Sequence, residues 1–155
     1  MDLAQPPIEE VLPHRGSMLL LDRVVGWDFE QVEVAATPGA DAWHAENGDM
    51  PSWIGVELMA QAIAAHVGLY ARSRREAPKK GVFLGARSYR ATQARFSAGA
   101  NLTIRAQRAF RDDSGMGAYD CSISRDAVEI ATARLIVLEP PDFEAFLAAQ
   151  AAAPS

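Results

Sequence analysis

The chain has a single cysteine, Cys121, in 155 residues. That excludes an internal disulfide and any cysteine-built metal site. It has no excess of positive charge: 15 Lys and Arg face 20 Asp and Glu, for a net charge of -5. That balance argues against general nucleic-acid binding. The opening MDLAQPPIEE is acidic and has no apolar core, so no secretory leader is read there. Repeats, low-complexity tracts, a phosphate loop and metal-ligand spacings are also missing. The expectation is a cytoplasmic protein without metal or organic cofactor, bound to neither nucleic acid nor membrane. What is present is ordinary: 49% apolar and 23% charged residues. The length suits one domain over residues 1–155.

The least ordinary stretch is WIGVELMAQAIAAHVGL, residues 53–69. It is about long enough to cross a membrane, but it is alanine-rich and carries Glu57, Gln61 and His66. Pro51 suits a helix start, and the pattern predicts one long helix from there to about Arg75, ending in the basic, proline-broken segment RSRREAPKKG. A helix apolar on nearly every side must be buried on most of them.

Strands flank it. MLLLDRVVGW (18–27) and EQVEVAAT (30–37) precede it, and residues 37–51 between them and the helix read as a loop. Residues 81–91, 101–110, 117–124 and 129–138 follow as strands. PPIEEVL (6–12) and the tail DFEAFLAAQAAA read as short helices. Short turns between the late strands favour antiparallel pairing. The fold class is α+β, one antiparallel sheet curling around one central helix. The apolar faces left over call for a second subunit.

Glu57 and Gln61 are neighbours at i and i+4, with Trp53, Ala64 and Gly68 on about the same face. His66 lies about half a turn away from Glu57 round the axis and cannot pair with it in one subunit. A carboxyl group in such a stretch is either paired or protonated, and a protonated one is a proton donor. Its bland alternative is a structural Glu that reaches solvent or an arginine. A matching base would be His44, in the loop before the helix, or His14, in LPHRGS; spacing alone leaves both open. The free N–H groups of the helix start suit a polarised carbonyl oxygen.

Three stretches resemble the hotdog-fold 3-hydroxyacyl-acyl-carrier-protein dehydratases: LPHRGSMLLLDRV (12–24), WHAENGDMPSWIGVELMAQ (43–61) and GVFLGARSYRATQARFSAGANLTI (81–104). The resemblance covers most of residues 8–138. It implies a hotdog sheet wrapped on the central helix, and a dimer with tunnels at the subunit interface. It implies elimination of water from a 3-hydroxyacyl thioester to give the trans-2-enoyl thioester, with no cofactor. By position, His44 is the base and Glu57 the acid from the other subunit. Gln61 steadies Glu57, and Ser52 offers its backbone N–H to the thioester carbonyl. The substrate arrives on an acyl carrier protein, an acidic partner, and Arg72, Arg74, Arg75, Lys79 and Lys80 are the basic counterpart. A solvated helix end that complements the macrodipole is the plainer account of those charges.

The chain departs from the family in two places. His44-Ala45-Glu46 stands where the family has His-Phe-Pro, and the loop from His44 to Pro51 is one residue short. Ser52 and Trp53 replace glycine and a smaller residue, so Trp53 would narrow the tunnel. These changes resemble the divergent dehydratase-like proteins of aryl-polyene and polyketide-type pathways. Two rival readings remain: a hotdog thioesterase, and a non-catalytic acyl-binding subunit that pairs with another hotdog protein. The partnership is a homodimer or higher oligomer in the first instance, with a hetero-oligomer as the alternative.

Overall fold

A computed structural model describes residues 5–77, 81–140 and 142–152. One six-stranded antiparallel sheet runs in the order β1-β2-β6-β7-β8-β4. Its strands are β1 (Arg23–Trp27), β2 (Gln31–Ala36), β4 (Val82–Ala91), β6 (Leu102–Arg111), β7 (Met116–Arg125) and β8 (Val128–Leu138). A two-stranded sheet joins β3 (Met50–Pro51) to β5 (Arg95–Phe96). Helix α1 (Ile8–Val11) and helix α3 (Phe143–Ala152) lie at the two ends of the chain.

The central helix is a 3-10 turn, Ser52–Ile54, followed by α2, Gly55–Ser73. Its sequence has no proline after Pro51 and is rich in Ala, the best helix former. Leu58, Met59, Ala62, Ala65 and Leu69 are buried. They meet the inward-facing Val32 and Val34 of β2, Ile104 of β6 and Ile123 of β7 in one apolar cluster. The register aligns Val34 with Ile104 and Ile104 with Ile123, so these side chains form one row across the sheet. Burying each such side chain contributes about 1.5–3 kcal/mol. The helix is apolar and long enough to cross a membrane, yet 67% of that window is buried inside the fold. It is the core helix of the domain.

The predicted elements are found, with shifted ends. Pro51 pairs with Arg95 in the small sheet, so the helix begins one residue later than the proline suggested. Pairing of the first strand starts only at Arg23, not at residue 18. The reason is local: Gly16–Met18 forms a 3-10 turn, and the backbones of Met18 and Leu20 are bonded to the Gln61 side chain instead of to a strand. Residues 37–51 are not all loop. Asn47 and Gly48 have φ of 51° and 84°, and Glu46 and Asp49 exchange backbone bonds of 2.8 and 3.1 Å. This is the two-residue hairpin that an Asn-Gly pair favours.

Candidate functional site

Glu57 sits two residues into α2 and is half-buried. Gln61, one turn on, is 1% exposed. Its Nε2 donates to Glu57 Oε1 at 3.0 Å and to the Met18 carbonyl at 2.8 Å. Its Oε1 accepts from the Leu20 N–H at 3.0 Å. The network fixes the amide orientation, because the flipped amide would set its oxygen against the Met18 carbonyl. Gln61 thereby ties the acidic side chain to the segment before β1.

Glu57 opens into a cavity of about 820 Å³. Its floor is the half-buried stripe of α2: Glu57, Ala60, Ala64 and Val67. These positions recur at three- and four-residue spacing, one stripe of the helix. One wall is the segment 9–15; the other is formed by Gly81–Phe83, Val137 and Phe143. Its volume is in the range of small-molecule sites. Close packing of the first wall depends on Gly68, because a Cβ there would collide with the Val11 carbonyl oxygen. Gly55 plays a similar part at the helix start, where a Cβ would strike the Tyr89 hydroxyl. That hydroxyl donates to the Ser52 carbonyl, and burial pushes its pKa up to about 12.

His44 is 6% exposed and stacks edge-on with Trp43 at 5.2 Å between ring centres. Burial lowers its pKa, so the neutral imidazole is favoured. Its Nδ1 is buried and has no hydrogen-bond partner. His44 does not line the cavity of its own chain, whereas His14 does. Spacing favours His44 over His14 only slightly as the base; in the fold it is His14, not His44, that lines the cavity with the Glu57 of the same chain.

Ser52 does not have the free N–H expected of it, because it donates to the Ala94 carbonyl at 2.9 Å. Pairing of β3 with β5 brings that carbonyl there, and nothing in the local sequence announces it. Trp53 is 61% exposed and lies outside the lining of its own chain's cavity. It follows the same stripe as Glu57 but one turn earlier, beyond the cavity's end.

The basic end of α2 is partly spent on internal pairs. Arg72 meets Glu10 at 2.9 Å, and Arg74 meets Glu76 at 3.6 Å while donating to the Tyr70 hydroxyl at 2.8 Å. Such exposed pairs are worth little individually. Arg75 has a φ of 55° just past the helix. Lys79 and Lys80 lie outside the described residues. Beside this end, Arg74, Arg108 and Arg111 line a second hollow of about 280 Å³.

On the opposite face of α2, His66 is fully buried. Its Nδ1 is 3.0 Å from the Tyr119 hydroxyl and its Nε2 2.9 Å from the Asp28 carbonyl. The carbonyl can only accept, so Nε2 carries the proton and Nδ1 accepts from tyrosine. This histidine pins the β1–β2 turn to the helix and is remote from Glu57. Among the described residues, no three His, Cys, Asp or Glu side chains cluster closely enough to hold a metal ion.

A sheet wrapped on a central helix, with a carboxyl group at the head of an apolar cavity, defines a hotdog protein. The chain belongs to the ApeP-like family, described as ApeP dehydratase, which matches residues 6–148. It is similar to the dehydratase heterocomplex ApeI:P from Xenorhabdus doucetiae, with 28% identity and a TM-score of 0.83. That match covers 94% of this chain and 98% of the other. The fold is shared more widely. A hypothetical thioesterase with coenzyme A from Streptococcus pneumoniae TIGR4 is 14% identical, with a TM-score of 0.59 over 75% of this chain and 83% of the other. The E. coli PaaI protein from the phenylacetic acid degradation operon is 19% identical, with a TM-score of 0.58 over 74% and 80%. No curated protein sequence matches the chain.

Proposed function

We propose that the chain is a subunit of a 3-hydroxyacyl thioester dehydratase of the polyene type, with the substrate carried by an acyl carrier protein in the cytoplasm. The observation that carries this reading is Glu57, held by Gln61 at the head of an apolar cavity, in a chain of a dehydratase family. The ApeI:P heterocomplex is an assembly of dehydratase subunits. The proposal extends that arrangement here: a second hotdog subunit, of this or another sequence, completes the site. Strand β4 is a sheet edge with Phe83 and Leu84 exposed, which offers such a subunit a place to pair.

In the reaction, a histidine takes the proton alpha to the thioester carbonyl. The C–H electrons form the new double bond, the β C–O bond breaks, and Glu57 protonates the oxygen that leaves as water. His44 is the base, supplied to the cavity of the neighbouring subunit. Its position outside its own chain's cavity and its favoured neutral form support that role. The carrier docks at the basic end of α2, at Arg75 together with Arg72 and Arg74, whose pairs with Glu10 and Glu76 are exposed.

A second reading, an acyl-holding subunit that leaves the chemistry to its partner, is favoured by one observation: the Ser52 N–H is occupied. One experiment separates the two. His44→Ala and Glu57→Gln variants are assayed alone, mixed, and with the companion hotdog subunit. Each should slow dehydration at least about a hundredfold, and mixing the two should restore part of it. Full activity of both variants in the assembled complex would assign the chemistry to the partner.

A further inference from the structure

We propose that His14 binds the carbonyl oxygen of the thioester substrate, as a hydrogen-bond donor and not as a base. The inference rests on the dehydratase reading and names a residue that the reaction as described does not use.

His14 lines the same cavity as Glu57. The segment that carries it is fastened at several points. The Arg15 guanidinium donates to the carbonyls of Leu12, His14 and Glu9 at 2.6, 2.7 and 2.8 Å. Val11 is seated against the helix at Gly68. Arg15 therefore spends its donors on the backbone, and the histidine beside it is held at the cavity wall.

The ring is asymmetric in its surroundings. Nδ1 is buried without a partner. An N–H enclosed there would go unpaired, which is the more costly of the two ways to leave a buried polar atom. The proton therefore sits on Nε2, which has no hydrogen-bond partner among the described residues and is the nitrogen left to face the cavity. An N–H in an apolar cavity wants an acceptor.

The substrate needs such a donor. As the alpha proton leaves, negative charge builds on the thioester oxygen. The Ser52 N–H that would meet it is bonded to the Ala94 carbonyl. His14 supplies the missing hydrogen bond and transfers no proton itself.

The test uses two stable substrate mimics on pantetheine, with the full chain and its assembled partner. In one, an amide replaces the thioester and keeps the carbonyl; in the other, a methylene replaces the carbonyl. The unmutated protein should bind the carbonyl mimic about three- to tenfold more tightly. His14→Leu should abolish that preference, and His14→Asn, which still donates, should keep part of it. Circular dichroism melts identify any variant that has lost its fold, and the remaining variant then decides. Equal preference in the His14→Leu and unmutated proteins overturns the proposal alone. Binding of neither mimic by the unmutated protein overturns the dehydratase reading with it.

Discussion

Gln61 Nε2 lies 3.0 Å from Glu57 Oε1, and the same amide bonds the backbones of Met18 and Leu20. One buried side chain thus joins the acidic group of α2 to a segment more than forty residues away in sequence.

Gln61→Ala should therefore lower stability as well as activity. It leaves the Leu20 N–H and the Met18 carbonyl without partners, each at a cost of about 1–3 kcal/mol. Urea unfolding should show an earlier midpoint with an unchanged slope. Glu57→Gln, at a half-buried position, should shift the midpoint far less while slowing turnover more.

His44 has a pKa lowered from 6.5 by burial. If its neutral form is the working base, the acidic limb of kcat/KM should be centred below pH 6.5. The acidic limb should vanish in His44→Ala. A limb centred at or above pH 7 would speak against this histidine.

Burial also lowers the pKa of His66, against the opposing pull of the Asp28 carbonyl. The unfolded chain then binds more protons than the folded one just below pH 6.5. Stability should be complete above pH 6.5 and should fall as pH drops through the lowered folded value. His44 contributes with the same sign. His66→Asn should flatten, but not remove, the pH dependence of the unfolding free energy between pH 7.5 and 5.

Gly68→Ala sets a methyl group against the Val11 carbonyl. Overpacking of this kind costs about 1–3 kcal/mol, or a drop in Tm of about 2–12 °C for a chain of this size. The segment 9–15 should swing outward, so binding of the acyl mimics should weaken too. An unchanged Tm would mean that the N-terminal segment is not seated on the helix.

The architecture was legible because its signals are periodic. Alternating Val32 and Val34, and the apolar run on both sides of Glu57, announce a strand and a buried helix. The Glu57–Gln61 contact was legible for the same reason, being one helical turn. What could not be read depends on long-range partners. Nothing near Ser52 says that the Ala94 carbonyl will reach it, and nothing near residue 18 says that Gln61 will take its backbone. The exposure of Trp53 follows from where the cavity ends, which is set by the segment 9–15 and β4. The Asn47-Gly48 hairpin was readable and was passed over among the loop residues around it. The loop before the helix and the resemblance both point to His44, but that His14 shares the cavity of Glu57 depends on tertiary surroundings that no local spacing announces.

Strand β4 is not a plain edge. Its pairing with β8 is interrupted twice, between Phe83 and Gly85 and between Arg87 and Arg90, and Ser88 has a φ of 56°. A flat edge would accept any extended chain, including another molecule caught half-folded. An edge with two irregularities and two arginines accepts only a strand shaped to follow it. The second subunit proposed above, where it pairs along β4, must therefore carry a strand whose own register follows both irregularities.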